Sequence, residues 1–295
     1  MREPSRRRRH RTSEELHERK PVQRRKQSEI EQAHSRRRKA RKKKNKNIVS
    51  NIILAIAILV FVISAVMLVI SFLPYIQGKS GYKKIQDLAI EQTTDEDTPT
   101  AFSVNFEELL KLNPDTVGWI RFDEPSIINY PVVQGSDNSQ YLTQSFTADD
   151  NKLGTIFVNV ENQGDFSDRE TIIYGHNMHY GGDMFTKLIE YESEDFYKEH
   201  PYFYIYTPDG NVSTYQIFAV EYVADDSEVY GIQFTDDAEF LNRISIMKSQ
   251  ALYDTGVEVD AQDKVILLST CTNFAKDQRL IVNGVKISEE AVATE

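Results

Sequence analysis

The sequence predicts a mainly β domain, either a closed barrel or a sandwich, preceded by one membrane-spanning helix. Eight runs rich in β-branched and aromatic residues, each bounded by turn residues, recur between positions 117 and 286 with few long helical patterns among them. A stretch from position 48 to 78 contains no charged side chain. Opposite excesses of charge lie on the two sides of that stretch. These observations separate a membrane segment from an outer domain.

The most apolar part of the uncharged stretch, positions 52–73, holds 22 residues. At about 1.5 Å rise per residue, such a helix spans about 33 Å, enough for a hydrocarbon core of about 30 Å. A buried helix of a soluble protein is disfavoured because the run is apolar on every face. A cleaved signal peptide is disfavoured because the run is too long and no A-x-A-like site follows before Lys79. We expect a transmembrane signal anchor over residues 48–74.

Charge gives the orientation of that anchor. The 295 residues include 35 Lys and Arg and 45 Asp and Glu, a net charge of −10. Residues 1–47 hold 20 basic and 6 acidic side chains (20 − 6 = +14), whereas residues 48–295 hold 15 and 39 (15 − 39 = −24). An excess of Lys and Arg marks the cytoplasmic side of a membrane. We therefore expect a single-pass protein of the cell membrane, with a cytoplasmic N-terminus and an extracellular domain after about Tyr75.

Composition also divides the rest of the chain. Residues 1–47 are too poor in apolar side chains to form a core, so we expect a basic, disordered cytoplasmic tail. Binding of nucleic acid or anionic lipid by the basic clusters at 6–9 and 41–44 is the alternative. Residues 75–103 are expected to form a stalk and linker, with a short helix over 79–91 and a polar, proline-broken segment over 93–100. Residues 104–288 are long enough for one core, and 289–295 form a tail.

The outer domain begins with a short predicted helix over 105–112, with Asn105 as its N-cap. The eight predicted strands follow at 117–122, 127–134, 154–159, 170–175, 201–207, 212–223, 264–270 and 278–286. Asp209 and Gly210 mark a hairpin turn between the fifth and sixth strands. A second helix is predicted over 236–250, capped by Asp236 and Glu239. Its apolar stripe indicates core packing and consists of Phe240, Ile244 and Met247.

The chain contains a single cysteine, Cys271, which excludes an intrachain disulfide framework and a four-cysteine zinc site. Cys271 ends the apolar strand sequence VILLST. A lone thiol outside the cell is prone to oxidation, so a purely structural position would be served as well by Ser, Ala or Val. A reactive cysteine and a buried inert cysteine, a common fate of free cysteines, are both open interpretations at this point.

Two further side chains supply what a thiol nucleophile needs. His176 follows a second apolar strand, and imidazole is the usual partner that raises the thiolate fraction of a cysteine. The alternative is a turn histidine that satisfies local backbone groups. Arg279 is a polar residue in an otherwise apolar strand, where a guanidinium can stabilise an oxyanion. The alternative is a surface salt bridge.

At these residues the chain resembles the sortase family, and within it class B. The resemblance is carried by LLSTC at 267–271, Arg279 eight residues later, and YGHNM at 174–178. Further class B-like stretches are NPDTVGWI at 113–120, YPVVQGSDNSQYL at 130–142 and GTIFVN at 154–159. The resemblance covers about residues 106–286, nearly all of the outer domain.

The resemblance implies an eight-stranded β-barrel with N-terminal helices and a helix inserted before the cysteine strand. It implies cleavage of a C-terminal sorting signal of secreted proteins after Thr, through a Cys thioester. The protein is then transferred to an amine of a peptidoglycan precursor or to a pilin lysine. The alternatives are a cysteine protease that hydrolyses the same signal, and an inactive sortase-like surface binding protein. We expect no cofactor, no metal and no nucleic-acid partner.

The resemblance also assigns roles to residues of this chain. It implies that Cys271 is the nucleophile, His176 the acid that protonates the leaving amine, and Arg279 the oxyanion and substrate clamp. It places substrate-binding positions at Ser269, Asn138 and Leu142. The backbone N–H of Thr272 is expected to be a second oxyanion donor. For His176 an acidic partner such as Asp183 or Asp277 remains an alternative to Arg279.

Overall fold

A computed structural model of the chain describes residues 13–92, 99–122, 128–149, 153–178, 182–271 and 277–292. The chain forms two compact units, Met1–Ser71 and Phe72–Glu295. Helix α1 has the bounds Ser13–Ala89, so its first part belongs to the first unit and its last part to the second. By length and composition, α1 is the one helix in the described part of the chain that can cross a membrane.

The basic tail differs from its prediction. We expected residues 1–47 to be disordered, whereas the structure is helical from Ser13 onward, and residues 1–12 lie outside the described part. The physical reason is that Arg, Lys, Glu, Gln and Ala, which dominate this segment, are good helix formers. A helix that continues from the apolar span also avoids the cost of its own nucleation.

The expected stalk is replaced by packed structure. The helix predicted over 79–91 is the last part of α1, and it buries Tyr82, Ile85 and Ala89. A two-stranded antiparallel sheet that the sequence did not predict follows, formed by β1 (Ile90–Gln92) and β2 (Phe102–Val104). The predicted linker over 93–100 falls mainly on residues 93–98, outside the described part.

Eight strands of the second unit close into a barrel. They are β3 (Thr116–Phe122), β4 (Asn129–Val133), β5 (Ile156–Val158), β6 (Glu170–Tyr174), β7 (Tyr202–Tyr206), β8 (Asn211–Ala224), β9 (Val265–Cys271) and β10 (Gln278–Ala291). Their order around the barrel is β10-β8-β7-β3-β4-β5-β6-β9. Two of the strand pairs, β4 with β5 and β6 with β9, are parallel. All eight predicted strands are confirmed, and the closure of the sheet decides between the barrel and the sandwich.

Both predicted helices of the outer domain are present with their caps. In α2 (Phe106–Leu112) the Asn105 side chain accepts a hydrogen bond from the Glu108 backbone N–H at 3.1 Å. In α5 (Asp237–Gln250) the Asp236 carboxylate accepts from the Glu239 N–H at 2.9 Å. These bonds satisfy N–H groups that helix ends leave open. Shorter elements escaped prediction: α3 (Gln140–Thr143), α4 (Glu194–Glu199) and 3₁₀ segments Phe185–Glu192 and Glu228–Tyr230.

The barrel has an inner and an outer apolar core. The inner core contains strand residues such as Ile120, Ile173 and Leu268, and it extends to side chains at the end of α1, among them Tyr82. The outer core lies between α5 and the outer face of the strands β6, β8, β9 and β10, and contains Phe240, Ile244 and Met247. The predicted stripe of α5 is therefore core, and α5 lies before the cysteine strand β9, as expected.

Two carboxyl groups are buried within this outer layer. Glu170 on β6 and Glu221 on β8 are both fully shielded from solvent. The Arg243 guanidinium lies 3.8 Å from Glu170, and Asn283 Nδ2 donates to Glu221 at 3.2 Å. Burial raises the pKa of Glu170 to about 8, with Arg243 opposing and Glu221 adding to the shift. Burial also raises the pKa of Glu221 to about 7, against the opposing hydrogen bond from Asn283.

This pair makes stability fall as pH rises. Both values lie above the ordinary 4.5, so the stabilising protons are fully bound below pH 4.5 and are lost as pH rises through 7 and 8. Glu170→Gln is neutral at every pH. Relative to the parent, the free energy of unfolding of this variant should rise between pH 4.5 and 8, by at most about 1.4 kcal/mol per pH unit for one proton, and melting temperatures across that range measure the difference.

Exposed Glu199→Gln is the control, and its melting temperature should differ from that of the parent by an amount that does not change with pH. A pH-independent difference between Glu170→Gln and the parent would show that Glu170 is ionised in the folded protein.

Candidate active site

The parallel pairing of β6 with β9 brings the predicted site residues to one edge of the barrel. In this pair Tyr174 lies beside Ser269, so both strands end at the same edge. Cys271 is the last residue of β9, and His176 follows β6 by two residues. In the antiparallel pair of β9 and β10, Arg279 lies opposite Cys271, so both side chains project from the same face.

These three residues line one open groove of about 380 Å³. The structure places six of the seven predicted site residues along it, and Thr272 lies outside the described part of the chain. Six of the groove residues were not predicted as site residues. The lining consists of Asn138, Leu142, Phe157, Tyr174, Gly175, His176, Asp225, Tyr230, Ser269, Thr270, Cys271 and Arg279.

Cys271 is exposed, unlike the rest of its strand. The six residues of β9 before it are buried, whereas the thiol opens to the groove. Its backbone carbonyl accepts a hydrogen bond from Asn177 Nδ2 at 2.9 Å, which ties the end of β9 to the segment that carries His176. The alternative of a buried inert cysteine therefore does not describe this site.

His176 is held by backbone groups on both sides. Its ring Nε2 lies 2.7 Å from the backbone oxygen of Leu142. Since a carbonyl can only accept, Nε2 carries the proton. The His176 carbonyl accepts from the Phe185 N–H at 3.0 Å. Asp183 and Asp277 were the two alternative acidic partners of His176. The Asp183 carboxylate lies 3.5 Å from Lys79 Nζ. The backbone carbonyl of Asp277 accepts a hydrogen bond from the Asp225 N–H.

Gly154 packs directly beneath this histidine. Its φ of +59° lies in the left-handed region that favours glycine. A Cβ at this position would lie 2.5 Å from the Tyr141 oxygen, 2.9 Å from the Leu142 oxygen and 3.0 Å from His176 Cδ2. Both the backbone conformation and the space therefore require glycine here.

Arg279 makes an ion pair at the groove. Its Nη2 lies 3.2 Å from Asp225 Oδ2, and its Nη1 donates to the Gln278 carbonyl at 3.1 Å. Arg279 therefore does form the salt bridge that was the alternative interpretation, and its partner Asp225 also lines the groove. A guanidinium has five N–H donors, more than one carboxylate occupies, so pairing with Asp225 leaves a substrate-clamping role open.

Two tyrosines that the sequence did not predict as site residues, Tyr174 and Tyr230, also line the groove. The Tyr230 hydroxyl lies 2.9 Å from Ser269 Oγ, and its ring stacks on that of Tyr174 with centroids 6.2 Å apart. Burial raises the pKa of Tyr230 to about 12, so its phenol stays protonated. Asn138, which also lines the groove, accepts a hydrogen bond from the Val160 N–H at 2.8 Å through its side-chain oxygen.

Within the described ranges, no three His, Cys, Asp or Glu side chains form a group that can hold a metal ion. The polar groups in the groove include a thiol, an imidazole, a guanidinium, a carboxylate, an amide and hydroxyls. This set can supply a nucleophile, a proton donor and a stabilising cation, which are the requirements of acyl transfer.

Comparison with known proteins agrees with this chemistry. A sequence model of the Sortase domain matches residues 122–287, more than half of the chain. The chain belongs to the sortase family. Sortase B of Listeria monocytogenes is 34% identical over 187 residues, which cover 62% of this sortase and 74% of that protein. Sortase B of Staphylococcus aureus is 27% identical over 244 residues, 80% of this chain and 95% of that protein.

Solved structures extend the similarity to the fold. A sortase B of Bacillus anthracis is 27% identical with a TM-score of 0.63, covering 74% of this chain and 99% of that one. A substrate complex of Staphylococcus aureus sortase B is 28% identical with a TM-score of 0.58, covering 62% and 84%. The expectations of class B and of an eight-stranded sortase barrel are confirmed. Sortases are cysteine transpeptidases, and this chain has one cysteine, Cys271.

Gly154→Ala tests how closely the backbone supports His176. The substitution should displace the Leu142 carbonyl and the His176 ring, and lower both peptide cleavage and the melting temperature. Gly210→Ala is the matched control, because Gly210 has φ +83° and nothing within 4 Å of an added Cβ. It should show backbone strain alone, of about 1–3 kcal/mol, with normal cleavage. Equal cleavage by the two variants would contradict the role of Gly154.

Proposed function

We propose that this sortase is a membrane-anchored transpeptidase that cleaves a C-terminal sorting signal of secreted proteins after Thr. It would then transfer the acyl group that ends in this Thr to an amine of a peptidoglycan precursor or to a pilin lysine. The observation that carries the proposal is the exposed thiol of Cys271 in a groove shared with His176 and Arg279. The similarity to a sortase B whose structure holds a substrate supports it.

In this proposal the Cys271 thiolate attacks the Thr carbonyl carbon. The new C–S bond gives a tetrahedral oxyanion, and its collapse breaks the C–N bond and leaves a thioester on Cys271. The thiol is at the end of a buried strand, so its position is fixed while its sulfur remains accessible. Such a fixed nucleophile lowers the entropy cost of the attack.

His176 is proposed to give a proton to the departing nitrogen. Amide leaving groups need this proton, because an amide anion is a very poor leaving group. The bond from Nε2 to the Leu142 carbonyl fixes the ring plane, and Gly154 allows that carbonyl to lie against the ring. In the second half of the reaction, His176 would take a proton from the incoming amine.

Arg279 is proposed to stabilise the oxyanion, together with the backbone N–H of Thr272. A guanidinium stays charged at all relevant pH values and offers donors in a fixed plane. The ion pair with Asp225 holds that plane beside the groove. Loss of one oxyanion donor typically costs about 10² to 10³ in kcat.

The walls of the groove are proposed to bind the sorting signal. Ser269, Asn138 and Leu142 line it, as the family resemblance implied, and Tyr174 and Tyr230 add aromatic surface. Leu142 is 40% exposed, so it offers an apolar contact to a peptide. Polar groups such as Ser269 Oγ and Asn138 can exchange their internal bonds for bonds to a peptide backbone.

The proposed location follows from α1. Residues 48–74 would form the membrane anchor and residues 1–47 would lie in the cytoplasm. The catalytic domain, residues 104–288, would be extracellular. This arrangement places the groove where secreted proteins leave the membrane and where lipid-linked precursors of the cell wall are found.

The test is capture of the acyl-enzyme by intact-protein mass spectrometry. The full chain in detergent micelles is mixed with peptides that carry NP-x-T-N-like or P-x-T-G-like signals, with and without an added amine. We expect a mass increase equal to the acyl fragment, and an amide product when the amine is present. Cys271→Ala removes the one thiol of the chain, costs about 1–2 kcal/mol of stability at most, and should abolish both.

Three results would contradict the proposal. Cleavage by Cys271→Ala would exclude the nucleophile. Hydrolysis that is unaffected by saturating amine would show a protease instead of a transpeptidase. A chain that gives no adduct with any peptide of the panel, although its thiol reacts with a small alkylating reagent, would indicate a binding protein.

A further inference from the structure

We propose that Tyr82, on the last part of α1, is a positioning residue for His176. Tyr82 is 4% exposed, and its hydroxyl donates to the Gly154 carbonyl at 2.6 Å. The same hydroxyl lies 3.0 Å from Thr155 Oγ1. A tyrosine that bonds two neighbouring residues of one segment fixes that segment. The proposal rests on the proposed function, because it takes His176 as the acid that protonates the leaving group.

The first contact path leads from Tyr82 to the imidazole ring. Gly154, whose carbonyl Tyr82 binds, lies against the Leu142 oxygen and against His176 Cδ2. The Thr155 N–H donates to the Tyr141 carbonyl at 2.9 Å, so the two segments move together. The Leu142 oxygen then binds His176 Nε2 at 2.7 Å. Two hydrogen bonds and one close packing contact therefore connect the Tyr82 hydroxyl to the ring.

The second contact path reaches the backbone of the histidine segment. Lys79, three residues before Tyr82 on α1, pairs with Asp183 at 3.5 Å. The Tyr82 ring packs edge to face on Tyr130 with centroids 5.4 Å apart, and the Tyr130 hydroxyl binds Asp183. Asp183 precedes Met184, which forms a β-bridge with Asn177, the neighbour of His176. The last part of α1 therefore contacts both segments that hold the histidine.

The Tyr82 hydroxyl is a donor under all working conditions, because burial raises its pKa far above its ordinary value. Tyr82→Phe leaves the ring packing and removes this donor alone. The Gly154 carbonyl then loses its bond inside the protein, and a buried carbonyl without a partner drives the segment to shift. A shift of the Leu142 carbonyl would turn the ring away from the leaving nitrogen.

The experiment compares two substrates with the full chain in detergent micelles. One is the sorting peptide with its natural amide, and the other is its p-nitrophenyl ester, with the same acyl part. The ester leaving group departs without a proton, so its acylation does not need the acid. Misplacement of His176 should slow the amide and spare the ester, whereas a general loss of structure slows both.

We expect Tyr82→Phe to lower the single-turnover acylation rate on the amide about 10- to 100-fold, with the acylation rate on the ester, read from the burst of p-nitrophenol, within two-fold of the parent. His176→Ala is the reference and should show the same amide-selective loss, larger in size. Tyr253→Phe is the matched control, because its hydroxyl donates to the Tyr191 carbonyl at 2.7 Å, on segments that do not carry the groove residues. It should leave both substrates unaffected, and melting curves check that all variants are folded.

Equal losses on amide and ester, or unchanged amide turnover in Tyr82→Phe, would overturn the proposal while the function stands. A His176→Ala variant whose acylation rates on amide and ester fall equally would overturn the acid role itself, and with it the role of Tyr82. Cleavage that persists in Cys271→Ala would contradict the proposed function independently of both.

Discussion

The parallel pairing of β6 with β9 is the constraint on which the rest of the structure depends. It closes the barrel, and it brings the ends of two distant strands to one edge, with His176 and Cys271 there. Parallel neighbours require a long crossover connection. Here that connection contains β7, β8 and α5, so the same pairing also places the helix that covers the outer core. The position of the candidate site, the closure of the barrel and the placement of α5 therefore all depend on this one strand pairing.

Backbone groups, more than side chains, hold the reactive side chains in place. The carbonyl of Leu142 holds the His176 ring, and the carbonyl of Cys271 is tied to Asn177. Carbonyls of neighbouring segments can be aimed accurately only when those segments are themselves packed, which is where Gly154 and the last part of α1 contribute. The barrel thus fixes the positions of these side chains, while the thiol of Cys271 stays exposed.

Local sequence patterns were sufficient for the strands, the helix caps and α5, because these depend on alternation, apolar spacing and capping residues near in sequence. The candidate chemistry of Cys271, His176 and Arg279 was also visible, although their assembly into one site came from the family resemblance. The contacts of Asp225 and Tyr230 were not predictable, since they depend on strand order and on the path of the crossover. The helical tail was missed because low apolar content excludes a core but does not exclude a helix.

If Cys271, His176 and Arg279 act as one unit, a double-mutant cycle on kcat/KM for amide cleavage will show that the effects of their substitutions are coupled. His176→Ala and Arg279→Lys are measured singly and together, with melting curves beside them. We expect a loss of about 10² to 10³ for Arg279→Lys, and a double variant scarcely slower than the worse single variant. Losses that multiply, or an Arg279→Lys variant within a few-fold of the parent, would contradict this expectation and leave Arg279 as a surface ion pair.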